Sequence, residues 1–153
     1  MIRLPYGWRR REGVNYGIPK LRVLHYKLDC LLENVYIRLA RFPKKGINES
    51  EEREEKIIVS LTSFPARIPT LHITLASLLQ QTVKPDMVIL WLAKEQFPNG
   101  EDDLTEEILK LKEFGLTIKW WHDIRPYKKL IPTITNYPDD IIITTDDDVV
   151  YDK

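Results

Sequence analysis

At 153 residues the chain is sized for one domain, and 43% hydrophobic with 30% charged residues is an ordinary globular composition that names no function, while ten prolines against six glycines with no Ser or Gly tract argue against low complexity. No apolar run approaches the roughly 20 residues needed to cross a bilayer, and the opening MIRLPYGWRRREG lacks the apolar core and cleavage site of a secretory signal, so a chain that stays inside the cell is expected. Net charge is zero, yet residues 1–47 hold 11 Lys and Arg against 3 Asp and Glu, and the remainder holds 12 against 20. A basic arm of that kind either meets an anionic surface or is simply solvated.

Between Pro19 and Phe42, Leu21, Leu24, Leu28, Leu31, Val35, Leu39 and Phe42 recur at three-and-four spacing, which predicts one amphipathic helix. With a basic arm beside its apolar stripe, this helix is a candidate for peripheral membrane contact, with packing on the rest of the protein as the alternative. The lone cysteine, Cys30, lies on its mostly apolar face, which favours packing over reactivity. Pro43 to Gly46 stops the helix, and Asn48 to Lys56, with five glutamates, reads as an acidic linker. The arm, helix and linker are therefore placed at 1–55, and a second unit at 56–153.

From there short apolar runs alternate with helical stretches, the pattern of βαβ units around a parallel sheet. Strands are predicted at Ile57 to Leu61, Met87 to Leu92, Thr117 to Trp121 and Asp140 to Thr145, and their continuous apolar character implies cover on both faces. A helix is predicted over Pro69 to Gln81, with Ile68, Leu71, Leu75, Leu78 and Leu79 toward the sheet. A second should begin at Asp103 as N-cap, with Glu106 completing the cap, carry Leu104, Ile108, Leu111 and Phe114 on one face, and stop at Gly115. A short third helix spans Leu130 to Asn136, with Pro132 in its first turn.

In an open parallel sheet ligands bind beyond the carboxyl ends of the strands. That rule selects Thr62 to Arg67, Ala93 to Phe97, His122 to Lys129 and Asp146 to Asp148. The last segment sets three carboxylates in a row after a buried strand, where repulsion and desolvation need compensation. A divalent cation, Mn2+ or Mg2+, would provide it, with Asp146 and Asp148 as the i, i+2 pair. A solvated turn in which Asp146 caps the next segment is the alternative. Arg125, Lys128 and Lys129 could neutralise a diphosphate, and Asp123 could accept hydrogen bonds from a base or ribose. Thr62, Ser63 and Arg67 suit a nucleotide's polar rim. No P-loop and no GxGxxG fingerprint is present. His72 reads as a helix-surface residue, Trp120 and Trp121 as sheet packing, and Trp91 as packing or a base-stacking platform.

In order, VSLTSFPARI, TLASLLQQTVKPD, VILWLAKEQFP, DIRPYKKLIPT and YPDDIIITTDDDVVYD resemble bacterial GT-A glycosyltransferases related to family 2, which build capsular or lipopolysaccharide glycans. The resemblance covers roughly residues 57 to 152 and implies a Rossmann-like, nucleotide-sugar-binding half. It implies that Asp146 and Asp148, as the Asp-x-Asp motif, hold Mn2+ or Mg2+ against a nucleotide diphosphate sugar. Thr62, Ser63, Arg67, Asp123, Arg125, Lys128, Lys129, Asp146 and Asp147 would line the donor site. Many members carry aspartates after the second strand, where this chain reads Leu92-Ala93-Lys94-Glu95. Such enzymes continue past the motif into an acceptor half, whereas this chain stops five residues after Asp148. The acceptor half, with any catalytic base, is thus expected to be absent and the isolated chain inactive.

The reaction implied is sugar transfer to a glycan or lipid-linked glycan, in the cytoplasm or at the inner face of its membrane, with no nucleic acid involved. Two rival readings stand: a nucleotidyltransferase that makes an activated sugar, and an inactive or accessory fragment.

Overall fold

The computed structural model describes residues 45–50 and 52–152, and the expected Pro19–Phe42 helix and Cys30 lie outside them. The described residues form an α/β layer around four parallel strands, β1 (Ile57–Thr62), β2 (Met87–Ala93), β3 (Leu116–Trp121) and β4 (Ile141–Thr144), in the order β3-β2-β1-β4. Helix α1 (Ile68–Leu78) joins β1 to β2, α2 (Glu106–Lys110) joins β2 to β3, and α3 (Ile131–Asn136) joins β3 to β4. No helix among them is long and apolar enough to cross a membrane.

The two central strands are buried along nearly their whole length, as their unbroken apolar runs predict. Successive side chains alternate between faces. Ile58, Ile89 and Trp91 make one buried cluster, joined by Trp121 and by Tyr137 just past α3. Leu61, Val88, Leu90 and Leu92, equally buried, point to the other face, and α1 with its C-cap supplies Leu71, Leu75 and Leu79 at full burial. Truncating any one of these leucines to alanine would cost roughly 2–5 kcal/mol through lost burial and the cavity left behind.

Three expectations need correction. Cover on both faces does not extend to β4, whose Ile141 and Ile143 are each 46% exposed. The chain passes from β3 back across the sheet to lay β4 beside β1, so β4 is an edge strand that meets the layer on one side only. The second helix does not start on Asp103: its N-cap is Thr105 in extended conformation. Asp103 is captured instead by Asn99, accepting from its backbone N–H (2.9 Å) and its Nδ2 (2.8 Å), which closes a 3-10 turn at Gly100–Asp103. Glu106 correspondingly pairs with Lys110 at 2.8 Å rather than completing a capping box. The expected apolar face survives, with Leu104, Ile108 and Leu111 buried, and Gly115 ends the element at φ 110°. Finally, packing begins before residue 55. Gly46 donates to the Phe114 carbonyl (2.6 Å) and Asn48 to that of Pro85 (2.8 Å). A Cβ on Gly46 would stand 2.6 Å from Leu79, so only glycine allows this approach. The layer thus includes residues assigned to the linker from sequence.

Candidate functional site

Strand order reverses between β1 and β4: the chain steps from β1 outward to β3 and then returns to the opposite side of β1. At such a reversal the loops leaving neighbouring strands diverge, and a crevice opens at their carboxyl ends. A cavity of about 300 Å3 lies there. Its walls come from the loop after β1 (Thr62, Ser63, Phe64), the 3-10 turn Arg125–Lys129, and the segment after β4 (Thr145, Asp146, Asp147). Gln96, from the loop after β2, completes it. All four segments selected from sequence are therefore represented around this crevice or immediately behind it.

The acidic turn is fixed by several elements. Ser63, nearly buried, donates through Oγ to Asp147 Oδ2 at 2.6 Å, and Thr74 on α1 donates to the Asp147 carbonyl at 3.1 Å. Arg67 pairs with Asp148 Oδ2 at 3.0 Å, and Lys129 with Asp146 Oδ1 at 2.6 Å. Beyond the triplet, the Asp146 N–H donates to the Tyr151 hydroxyl (2.9 Å), and the Tyr151 N–H donates to Ser77 Oγ on α1 (3.1 Å). The turn is partly solvated, as the alternative to a cation site has it, since the Asp146 and Asp148 side chains are exposed, but Asp146 spends Oδ1 on Lys129 rather than on a cap, and the turn is pinned to β1 and α1. Protein cations and hydroxyls thus meet part of the compensation that the triplet needs.

Asp123 and Lys128 stand differently from their expected roles. The Lys128 side chain is 3% exposed, and its Nζ donates to Asp123 Oδ1 at 2.6 Å. The same oxygen accepts the Arg125 N–H at 2.9 Å, and Oδ2 accepts Gln96 Nε2 at 3.0 Å. The Lys128 ammonium, followed by the Arg125 N–H, holds the Asp123 carboxyl below the usual carboxylate range. Asp123 is therefore a loop organiser whose oxygens are already engaged. Its bond to the backbone two residues on is an Asx turn, and it holds Arg125 at φ 55°, a left-handed conformation that a non-glycine residue before proline adopts only under constraint. The constraint sets Arg125 on the cavity wall, with no carboxylate partner among the described residues.

The floor beneath Lys129 is a buried polar network. Ser60 Oγ donates to the Lys129 carbonyl at 2.7 Å and shares a hydrogen bond with Thr133 Oγ1 at 2.8 Å. Trp91 Nε1 donates to the same Thr133 oxygen at 2.8 Å. Trp91 is buried and so committed to packing rather than to stacking a base, and Trp120 packs edge-on against Phe97. Thr62 Oγ1 donates to the Trp91 carbonyl at 2.7 Å, which turns its hydroxyl hydrogen away from the cavity it lines.

Of the residues expected at the site, Thr62, Ser63, Arg125, Lys128, Lys129, Asp146 and Asp147 line this one cavity. Arg67 and Asp148 pair with each other beside it, and Asp123 stands behind Lys128 and Gln96. Each carboxylate of the triplet engages the protein through one oxygen, so Asp146 Oδ2, Asp147 Oδ1 and Asp148 Oδ1 remain available as hard donors. No group of three or more His, Cys, Asp and Glu side chains gathers for a metal among the described residues, so any cation would draw ligands from a bound substrate or water as well. Comparison with protein-family models, curated proteins and solved structures gives no match to this chain.

Proposed function

We propose that this layer binds the diphosphate of a nucleotide sugar and serves metal-assisted transfer of that sugar to a glycan or lipid-linked glycan acceptor. The observation that carries the reading is the convergence, at the reversal point between β1 and β4, of a hydroxyl loop, an acidic turn and a basic 3-10 turn around one cavity. The ordered resemblance to GT-A glycosyltransferases supports it. Asp146 Oδ2 and Asp148 Oδ1 would hold Mn2+ or Mg2+, both of which prefer carboxylate and phosphate oxygens. Such an ion supplies Lewis-acid stabilisation of the charge on a departing diphosphate. Arg125 adds positive charge on the cavity wall, Lys129 adds it where it meets Asp146, and Thr145 Oγ1, buried there without a hydrogen-bond partner, offers a further polar contact.

The reaction belongs in the cytoplasm, with the basic N-terminal segment contacting the inner membrane face; salt-sensitive flotation of the chain with anionic vesicles tests that contact. Calorimetry with UDP and GDP tests the site. Affinity should fall when Mn2+ is replaced by chelator, and Asp148→Ala should abolish the metal dependence. Equal affinity in metal and in chelator would refute the assignment of Asp146 and Asp148. Product analysis with a labelled donor separates sugar transfer from nucleotidyl transfer.

A further inference from the structure

The carboxyl ends of β2 and β3 border a second, open cleft of about 470 Å3 that the nucleotide reading does not use. Its walls include Trp91, Lys94, Lys119, Trp121 and Asn136. Lys119 is held there by aromatic rings: Nζ donates to the Tyr137 hydroxyl at 2.7 Å and lies 4.8 Å from the Tyr137 ring centre and 5.6 Å from that of Trp91. Neither Lys119 nor Lys94 pairs with a carboxylate among the described residues, although this part of the chain carries an excess of acids. The half-buried Trp121 sets its ring edge-on to Trp91 at 6.0 Å, and its Nε1 is a buried donor with no acceptor. Asn136 spends Nδ2 on the Pro132 carbonyl at 2.6 Å, which leaves Oδ1 as an acceptor.

Two ammonium groups without a carboxylate partner call for an anion, the half-buried Trp121 offers the aromatic surface for the C–H face of a saturated ring, and the exposed Asn136 oxygen accepts from a hydroxyl. We propose that this cleft binds a carboxylate-bearing sugar. A neutral sugar would leave both ammonium groups unmatched. A nucleotide would pair its phosphate charge, but its stacking surface is a planar base rather than the C–H face of a pyranose, and its ribose carries fewer ring hydroxyls beside the charge. The inference rests on a different cleft from the nucleotide site, and it is tested without nucleotide or metal, so either reading can fail alone.

The experiment titrates the full chain with glucuronate, glucose and AMP, following the Trp121 indole N–H by NMR together with intrinsic fluorescence. Glucuronate should give a saturable shift in the millimolar range, with glucose and AMP at least about tenfold weaker because the charge or the hydroxyl match is lost. Lys119→Met, which keeps the aliphatic stem over the rings, should weaken glucuronate about tenfold, and Lys94→Ala, at an exposed position whose loss leaves the fold intact, should weaken it as well. No shift with glucuronate, equal binding of glucose or AMP, or glucuronate binding unchanged in Lys94→Ala would overturn the proposal.

Discussion

Replacing Thr133 with valine isolates the buried network beneath the cavity, because the two side chains have nearly the same shape and only the hydroxyl is lost. Thr133 is fully buried; its Oγ1 accepts from Trp91 Nε1 at 2.8 Å, and its single hydroxyl hydrogen serves either Ser60 Oγ at 2.8 Å or the Lys129 carbonyl at 3.2 Å. The Lys129 carbonyl keeps its better donor, Ser60 Oγ at 2.7 Å, so that part of the loss is small. The Trp91 donor has no such substitute in a side chain only 2% exposed, and an orphaned buried donor costs about 1–3 kcal/mol. The expected destabilisation is about 2 kcal/mol, or a fall in Tm of about 8 °C for a body of this size. Urea unfolding followed by tryptophan fluorescence measures it, and an unchanged m-value would show that the two-state comparison holds. The double variant Ser60→Ala, Thr133→Val should cost less than the two single changes together, since they dismantle one network. A loss below about 0.5 kcal/mol for Thr133→Val would refute the reasoning, because it would mean that Trp91 Nε1 finds water or another acceptor at no cost.

Arg125→Gly should separate stability from binding: relief of the left-handed φ of 55° offsets the entropic cost of glycine, leaving stability unchanged or higher by up to about 1 kcal/mol, while calorimetry shows weaker nucleoside diphosphate binding. Within the triplet, Asp147→Ala should cost about 1–2 kcal/mol in urea unfolding, because nearly buried Ser63 loses its acceptor, whereas Asp146→Asn and Asp148→Asn should stay within about 0.5 kcal/mol of wild type without metal. The reverse ranking would show that the exposed pairs hold the turn. For Asp86, burial pushes the carboxyl upward, but hydrogen bonds from the Ile57 N–H, Asn48 and Arg53 outweigh it and hold the group below its ordinary value. A carboxylate depressed in the folded state contributes stability above its unfolded pKa and loses it as pH falls through the folded value. Stability should therefore drop below about pH 4 in the wild type, and the drop should be shallower in Asp86→Asn, read by thermal unfolding across pH.

The strands were legible because continuous apolar runs bounded by turn residues have few other uses, and all four form within a residue or two of their expected bounds. The exposure of β4 was not legible, since an apolar run such as Ile141–Ile142–Ile143 reads the same at a sheet edge as at its centre, and only strand order tells them apart. The start of α2 was misread because Asp103 has two competing uses, capping a helix or closing on Asn99, and the positive φ of Gly100 (66°) favours the second. At the candidate site, the placement rule selected loops that converge on one cavity but did not reveal the pairing within them. That Asp123 and Lys128 engage each other depends on the tightness of the turn between them, which periodicity does not reveal. The anchoring hydroxyls Thr74 and Ser77 were missed as well, although a signal was present: both fall at helical spacing on the buried side of α1, among Leu71, Leu75 and Leu78, where a hydroxyl requires a partner.

Three consecutive carboxylates repel one another, and the structure resolves this by sending each to a partner on a different segment: Asp146 to Lys129 before α3, Asp147 to Ser63 after β1, and Asp148 to Arg67 at the entry to α1. The partners also differ in what they can contribute. Ser63 is nearly buried, so its bond to Asp147 fixes the turn against the sheet. The side chains of Asp146 and Asp148 are 67% and 46% exposed, and ion pairs at such exposure contribute between nothing and about 1 kcal/mol. Stability alone therefore gives little reason to place two acids there, since serine or asparagine would serve the turn without the repulsion. A use for their remaining oxygens would supply that reason. Asp147 locks the turn, Asp146 lines the cavity while paired with Lys129, and Asp148 stands beside it paired with Arg67. One carboxylate of the triplet thus serves the fold, and the two flanking it each keep an oxygen free of protein partners.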